Sequence, residues 1–166
     1  MSSEITSFRH QIDAAINSFP HMRSSRETSL AHTNLQRAFM WLGESLKASG
    51  SPTPYVNSSN PANATIEAQA DHTDNTLLPR WQTIDQTQTA RVKDFRNYLE
   101  QLIQNFRQWK ESSESAGPHY AACVQTSFMA LIEAKCWLGW ELNRIKKEKE
   151  GLNTNLTQVP AMSLPL

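Results

Sequence analysis

Two arginines and three hydroxyls crowd one short stretch, Arg23-Ser24-Ser25-Arg26-Glu27-Thr28, directly ahead of an apolar helical pattern. Chemically this is an arrangement for an anion. The first amides of a helix have no carbonyl partner within it, and the aligned peptide dipoles place partial positive charge there. A guanidinium adds a planar fork that matches phosphate oxygens. Each charge-assisted hydrogen bond contributes about 1.5–3 kcal/mol, so several could hold a doubly charged ligand. The same residues have a plainer reading. Ser24-x-x-Glu27 fits a capping box flanked by solvated arginines, and on chemistry alone that reading is the stronger.

Catalytic patterns are missing elsewhere. The sequence contains no Gly-rich phosphate loop, no nucleophile elbow and no His-Glu-x-x-His pair. Histidines 10, 21, 32, 72 and 119 show no ligand spacing, and Asp71, His72 and Asp74 read as loop polarity. Cys123 and Cys136 form no CxxC and read as buried, reduced thiols. The expectation is a binding protein with no catalytic residue, no metal and no cofactor.

Composition narrows the partners. Sixteen basic residues balance sixteen acidic ones, whereas a DNA-binding protein uses a basic excess to displace counterions. A small phosphorylated ligand needs only two or three placed arginines, so it stays open. No stretch reaches membrane-spanning length and the start lacks a leader pattern, so a cytoplasmic chain is expected, without membrane contact. With 39% apolar residues in 166, a large monomeric core is hard to fill, which favours burial between subunits.

Those residues must be positioned by helices. Ile5, Phe8, Ile12, Ala15, Ile16 and Phe19 share one helical face, and Pro20 ends that run. A second helix starts near Ser24 or Ser25, buries Ala31, Leu35, Ala38, Phe39, Leu42 and Leu46, and stops at Gly50. Residues 51–78 read as a long polar linker or ordered loop. A third helix is predicted from just after Pro79 to about Lys110, and a fourth from about His119 to Glu150 with a solvated charged tip at 144–150. The tail 151–166 reads as flexible. The organisation is thus all-α: a helical hairpin over 1–50, the linker, a second hairpin over 79–150, and the tail.

The two hairpins echo each other. Leu35-x-x-Ala38-x-x-Trp41-Leu42-Gly43-x-x-Leu46 recurs 96 residues later as Leu131-x-x-Ala134-x-x-Trp137-Leu138-Gly139-x-x-Leu142. Phe8-Arg9-x-x-Ile12-x-x-x-Ile16-x-x-Phe19 recurs 87 residues later as Phe95-Arg96-x-x-Leu99-x-x-x-Ile103-x-x-Phe106. Such self-similarity predicts duplication of a helix pair, the second copy carrying a turn nine residues longer. Its turn holds Ser112, Ser113, Ser115, Gly117, His119 and Tyr120 but no arginine, so any ligand there would meet hydroxyls and rings. A mid-helix glycine costs roughly 1 kcal/mol relative to alanine, so Gly43 and Gly139 predict close helix approach. Phe39, Met40, Trp41, Trp137 and Trp140 make the apolar stripe wider than one partner helix requires, which predicts a homo-oligomer interface through these residues and the two glycines.

The run Ser25-Arg26-Glu27-Thr28-Ser29-Leu30-Ala31-His32-Thr33-Asn34-Leu35-Gln36-Arg37-Ala38-Phe39-Met40-Trp41 resembles the hairpin domain of phage anti-CBASS and anti-Thoeris sponge proteins. Their pattern is Ser-Arg-Glu-x-Ser-Leu-Ala-x-Thr-x-Leu-x-x-Ala-x-x-Trp, and the likeness covers about residues 5–48. The resemblance implies a helical oligomer that sequesters cyclic oligonucleotides or cyclic ADP-ribose-type immune signals without cleaving them. It implies phosphate contacts from Arg26 and Thr28, with Ser24, Ser25 and Arg23 nearby, and base or ribose contacts from Tyr55, Tyr98, Tyr120 or His119. This chain departs from the family in its linker and second hairpin. The alternative is a helical interaction or phage assembly protein with no nucleotide ligand.

Overall fold

Four helices account for the regular structure of the computed structural model, which describes residues 2–19, 22–51 and 88–162, with side chains described between residues 3 and 151. They are α1 (Ser2–Asn17), α2 (Arg26–Ala48), α3 (Gln88–Ser112) and α4 (Pro118–Met162). The described residues are all-helical, and none of these helices is long and apolar enough to cross a membrane. Tyr55 and the 51–78 segment lie outside the described residues, Ser51 excepted, as do Pro79 and the start predicted for the third helix.

Local chemistry explains the boundaries. Ser25 caps α2 in an extended conformation (φ −149°, ψ 168°), its side chain accepting from the Thr28 amide while the Thr28 hydroxyl accepts from the Ser25 amide. The capping box therefore closes on Thr28, not on Glu27 as Ser24-x-x-Glu27 would have it, because the cap falls one residue later. α2 ends in a Schellman motif: Gly50 takes φ +88°, its amide bonds the Lys47 carbonyl and the Ser51 amide bonds the Leu46 carbonyl, both at 3.0 Å. Gly117 (φ +108°) precedes Pro118, the first residue of α4, a position where proline's missing amide is no loss. The tail expected to be flexible is helical as far as Met162. One glycine, Gly151, costs an established helix only about 1 kcal/mol and does not terminate it.

Side-chain contacts fix the arrangement. Phe19 meets His32 and Arg9 lies over Phe39, so α1 and α2 run antiparallel. Phe8 meets Phe106 and Phe19 meets Phe95, so α1 and α3 are antiparallel too. Lys149 bonds Thr89, and Phe106 stacks on Phe128, which makes α3 and α4 antiparallel. Ser25 reaches Glu141 and Ser127 donates to the Ala38 carbonyl, giving the same relation for α2 and α4. The result is a four-helix bundle in which α2 and α3 run in the same direction. The connection between them therefore joins opposite ends.

These contacts obey the two sequence offsets. Phe8–Phe106 (ring centroids 5.1 Å) exchanges with Phe95–Phe19 (5.2 Å). Phe19–His32 exchanges with Phe106–Phe128. Two further pairs join a residue to its own counterpart: the Tyr98 hydroxyl donates to the Gln11 carbonyl at 2.9 Å, and Arg37 pairs with Glu133 at 3.7 Å. Self-paired positions lie on a two-fold axis, so the halves are related by a pseudo-two-fold passing between α1 and α3 and between α2 and α4.

The core is where periodicity puts it. Ile5, Ile12, Leu35, Leu42, Leu99, Leu131 and Leu138 are fully enclosed, each contributing roughly 1.5–3 kcal/mol by leaving water. Three expectations change. Tyr98, a candidate for base stacking, is 3% exposed and bonded between helices, so its ring has no free face. Cys136 is exposed, and only Cys123 is a buried thiol. Of the residues expected at an interface, Gly43 is buried, while Phe39 and Gly139 are half-buried, Phe39 lying under Arg9 and a Cβ on Gly139 standing 3.5 Å from the Arg96 guanidinium. That last spacing is ordinary contact. Gly139→Ala should therefore raise the urea midpoint, by up to about 1 kcal/mol in stability from helix propensity, whereas Gly139→Leu should lower it by displacing Arg96.

Candidate functional site

The corner between α1 and α2 contains the largest of the described cavities, about 550 Å³. It is lined by Phe19, Met22, Arg23, Ser24, Thr28, Ser29 and His32, with Ile16 and Asn17 from the end of α1. Arg23 dominates its polar wall. Its amide donates to the Gln88 side chain at 2.9 Å, its Nε to Glu141 at 2.5 Å, and its Nη1 and Nη2 to the two Glu148 oxygens at 2.6 and 3.4 Å. Glu148 first and Glu141 second hold the guanidinium charged more firmly than usual.

The two carboxylates differ in kind. Glu141 is wholly buried and also accepts from the Ser25 hydroxyl at 2.8 Å. A carboxylate taken from water is costly unless paired and hydrogen-bonded, so it must keep both Arg23 and Ser25. Glu148 is 44% exposed, and water competes for it, so that pair contributes little. Arg23 is thus clamped on one side and exchangeable on the other. The charged tip of α4 supplies this chemistry: Arg144 also reaches Glu27 at 2.7 Å, and both Glu27 and Glu148 are held below the ordinary carboxylate range by their arginine partners.

The five residues singled out for phosphate divide accordingly. Arg23, Ser24 and Thr28 line the cavity. The Thr28 hydroxyl is committed to the cap, bonding the Arg23 and Ser25 carbonyls and the Ser25 amide. Ser25 is committed to Glu141 and the Thr28 amide. Arg26 is exposed and stands 5.9 Å over the Trp137 ring, outside the cavity wall. Asn17, Ser29 and His32 join the wall although the turn motif gave no sign of them. Ser29 and His32, one and two turns beyond Ser25, carry a periodic signal, and Asn17 carries none. At the other end of the bundle, Tyr120 is buried while His119 is exposed, its ring nitrogen 3.7 Å from the Cys123 sulfur.

His32 packs against Phe19 at 4.8 Å, and burial pushes its pKa below the ordinary value. Its ring is therefore neutral near pH 7, with one donor and one acceptor. Comparison with protein-family models, with curated proteins and with solved structures gives no match for this chain.

The half-buried imidazole links stability to pH. Because its folded pKa lies below the unfolded value of 6.5, the unfolded chain takes up the proton first as pH falls. Stability should be full above pH 6.5 and decline below it. His32→Gln should flatten that decline, as read from urea midpoints between pH 7.5 and 5.

Proposed function

We propose that this chain binds a nucleotide-type anion in the α1–α2 corner and holds it chemically unchanged, acting as a phage-encoded sponge for cyclic nucleotide immune signals in the host cytoplasm. Cyclic di- and trinucleotides and cyclic ADP-ribose isomers are the ligand class. The observation that carries this reading is the half-clamped Arg23, aimed along a cavity that also holds the Ser24 and Ser29 hydroxyls and the Phe19 and His32 rings. A phosphate displaces Glu148 from the outer side of the guanidinium while Glu141 keeps it in place. Neutral His32 and Phe19 face the base or ribose. Little ordering is needed, which favours tight binding. The likeness of residues 25–41 to the sponge hairpins points the same way.

A sponge works by mass action, so it must outnumber its signal and bind it more tightly than the effector does. Ligand at 100 times Kd should stabilise the protein by about 2.7 kcal/mol, visible as a rise in Tm across a panel of cyclic nucleotides. Arg23→Ala should weaken binding at least tenfold, and Glu148→Gln should strengthen it by removing the competing carboxylate. The ligand should return intact after heat release. A panel without any rise in Tm, or a cleaved product, overturns the reading.

We also infer that the chain arose by duplication of a helical hairpin, and that copies associate through the outer face of α2 and α4. The matched contacts support the first statement. Met40, Met129 and Trp140, 49%, 44% and 61% exposed, support the second, with Trp41 and Trp137 half-buried beside them. The Arg37–Glu133 pair on the pseudo-axis makes this face self-complementary in charge. Trp140→Glu should reduce the mass measured by sedimentation to that of one chain. If wild type is already monomeric and binds no nucleotide, a helical interaction or assembly protein with another partner becomes the better reading.

A further inference from the structure

We propose that the opposite corner of the bundle, between α3 and α4, is a separate site for a small oxyanion, recognised by the Tyr120 hydroxyl and the Lys110 ammonium. The argument starts from position. The cavity there, about 260 Å³, is lined by Tyr120, Val124 and Gln125, the counterparts at offset 96 of Ser24, Thr28 and Ser29 in the first cavity. The duplicated scaffold thus repeats the recess at its other end and changes the chemistry of its wall.

Tyr120 gives the strongest indication of a ligand. The residue is 3% exposed, and its hydroxyl is closed off from water without a hydrogen-bond partner. The Ser113 side chain stands near it without completing a hydrogen bond. Buried tyrosine hydroxyls normally find a partner, and an unpartnered one on a residue that lines a recess is a donor available to an acceptor bound there. Burial, with the field of Glu4, raises its pKa, so it stays a neutral donor.

Charge supports an anion. Lys110 Nζ lies 5.1 Å and Arg107 Cζ 5.7 Å from the centre of the same Phe128 ring. Among the described residues neither cation has a carboxylate within ion-pair distance. In the first corner Glu141 neutralises Arg23, whereas its counterpart at offset 96 is Ser45, whose hydroxyl is bonded to the Leu42 carbonyl. Glu4 is the opposing charge, its field reaching Tyr120 from α1, and Arg107 stands in the field of Glu100, so the cation on the wall of the recess is Lys110. The volume falls below the range that takes drug-sized ligands. It suits a phosphate or carboxylate on a small head group, not a cyclic dinucleotide.

The site does not rest on the reading of the first corner, and its test separates the two. Inorganic phosphate, a nucleoside monophosphate and a small dicarboxylate are titrated into the full chain, with amide chemical shifts followed around residues 110–125. Saturable shifts are expected there. Tyr120→Phe should weaken binding at least tenfold while Tm stays the same or rises, because the variant removes an unsatisfied buried hydroxyl. A merely structural tyrosine would lose Tm instead. Lys110→Gln should weaken binding similarly, and Arg23→Ala should leave it unchanged. Phosphate and monophosphate binding without the dicarboxylate identifies a phosphate site, and the reverse a carboxylate site. No saturable shift with any probe, or unchanged affinity in Tyr120→Phe, overturns the proposal.

Discussion

Neither helix pair can hide its apolar stripe alone, and the closure of α2 on α4 is the contact from which everything else follows. Small residues make that closure intimate: Ala31, Ala38, Ala130 and Ala134 are all but sealed from water, which lets the helix axes approach. The Ser127 hydroxyl, fully buried, bonds the Ala38 carbonyl across the seam at 2.8 Å. With α2 and α4 joined, α1 and α3 are brought to face each other, and their four phenylalanines interlock in symmetric pairs. Both corner cavities are the spaces left where a helix pair turns at the end of this seam.

The pseudo-symmetry is therefore one of scaffold and not of chemistry. At one end a buried carboxylate, Glu141, ties the cap of α2 to the middle of α4 through Ser25 and Arg23. At the other end the same positions hold Ser45, Ala121 and His119, and the charge on the wall of the recess is that of Lys110. Side chains at equivalent recesses can differ in this way, because the packing that supports them is supplied by the seam.

Much of this was legible in the sequence. The stripes of α1 and α2, the stop at Gly50, the break at 112–118 and the offsets of 96 and 87 follow from periodicity and turn chemistry, which are local. What escaped the sequence is pairing across distance. Nothing near Arg23 says that it will meet Glu141 and Glu148, more than a hundred residues on, and the run at 144–150 looks like any solvated helix tip. Arg9 reads as a polar position on α1, yet it is 3% exposed and lies over Phe39, since a guanidinium can be covered by an aromatic face. The turn motif leads to a corner whose cavity is lined by Arg23, Ser24 and Thr28, while Ser25 and Arg26 stand outside its wall. Capping groups and ligand-binding groups use the same residue types, and only geometry shows which hydroxyls are already committed.

The parallel course of α2 and α3 sets a minimum on the length of chain between them. Thirty-six residues separate Ser51 from Gln88, and they carry the chain back along the bundle by about the 25-residue length of α3, or about 37 Å. A fully extended chain covers that distance in roughly a dozen residues. Shortening the segment below that number would forbid the observed helix order, because α3 could then begin only at the end of the bundle where α2 stops.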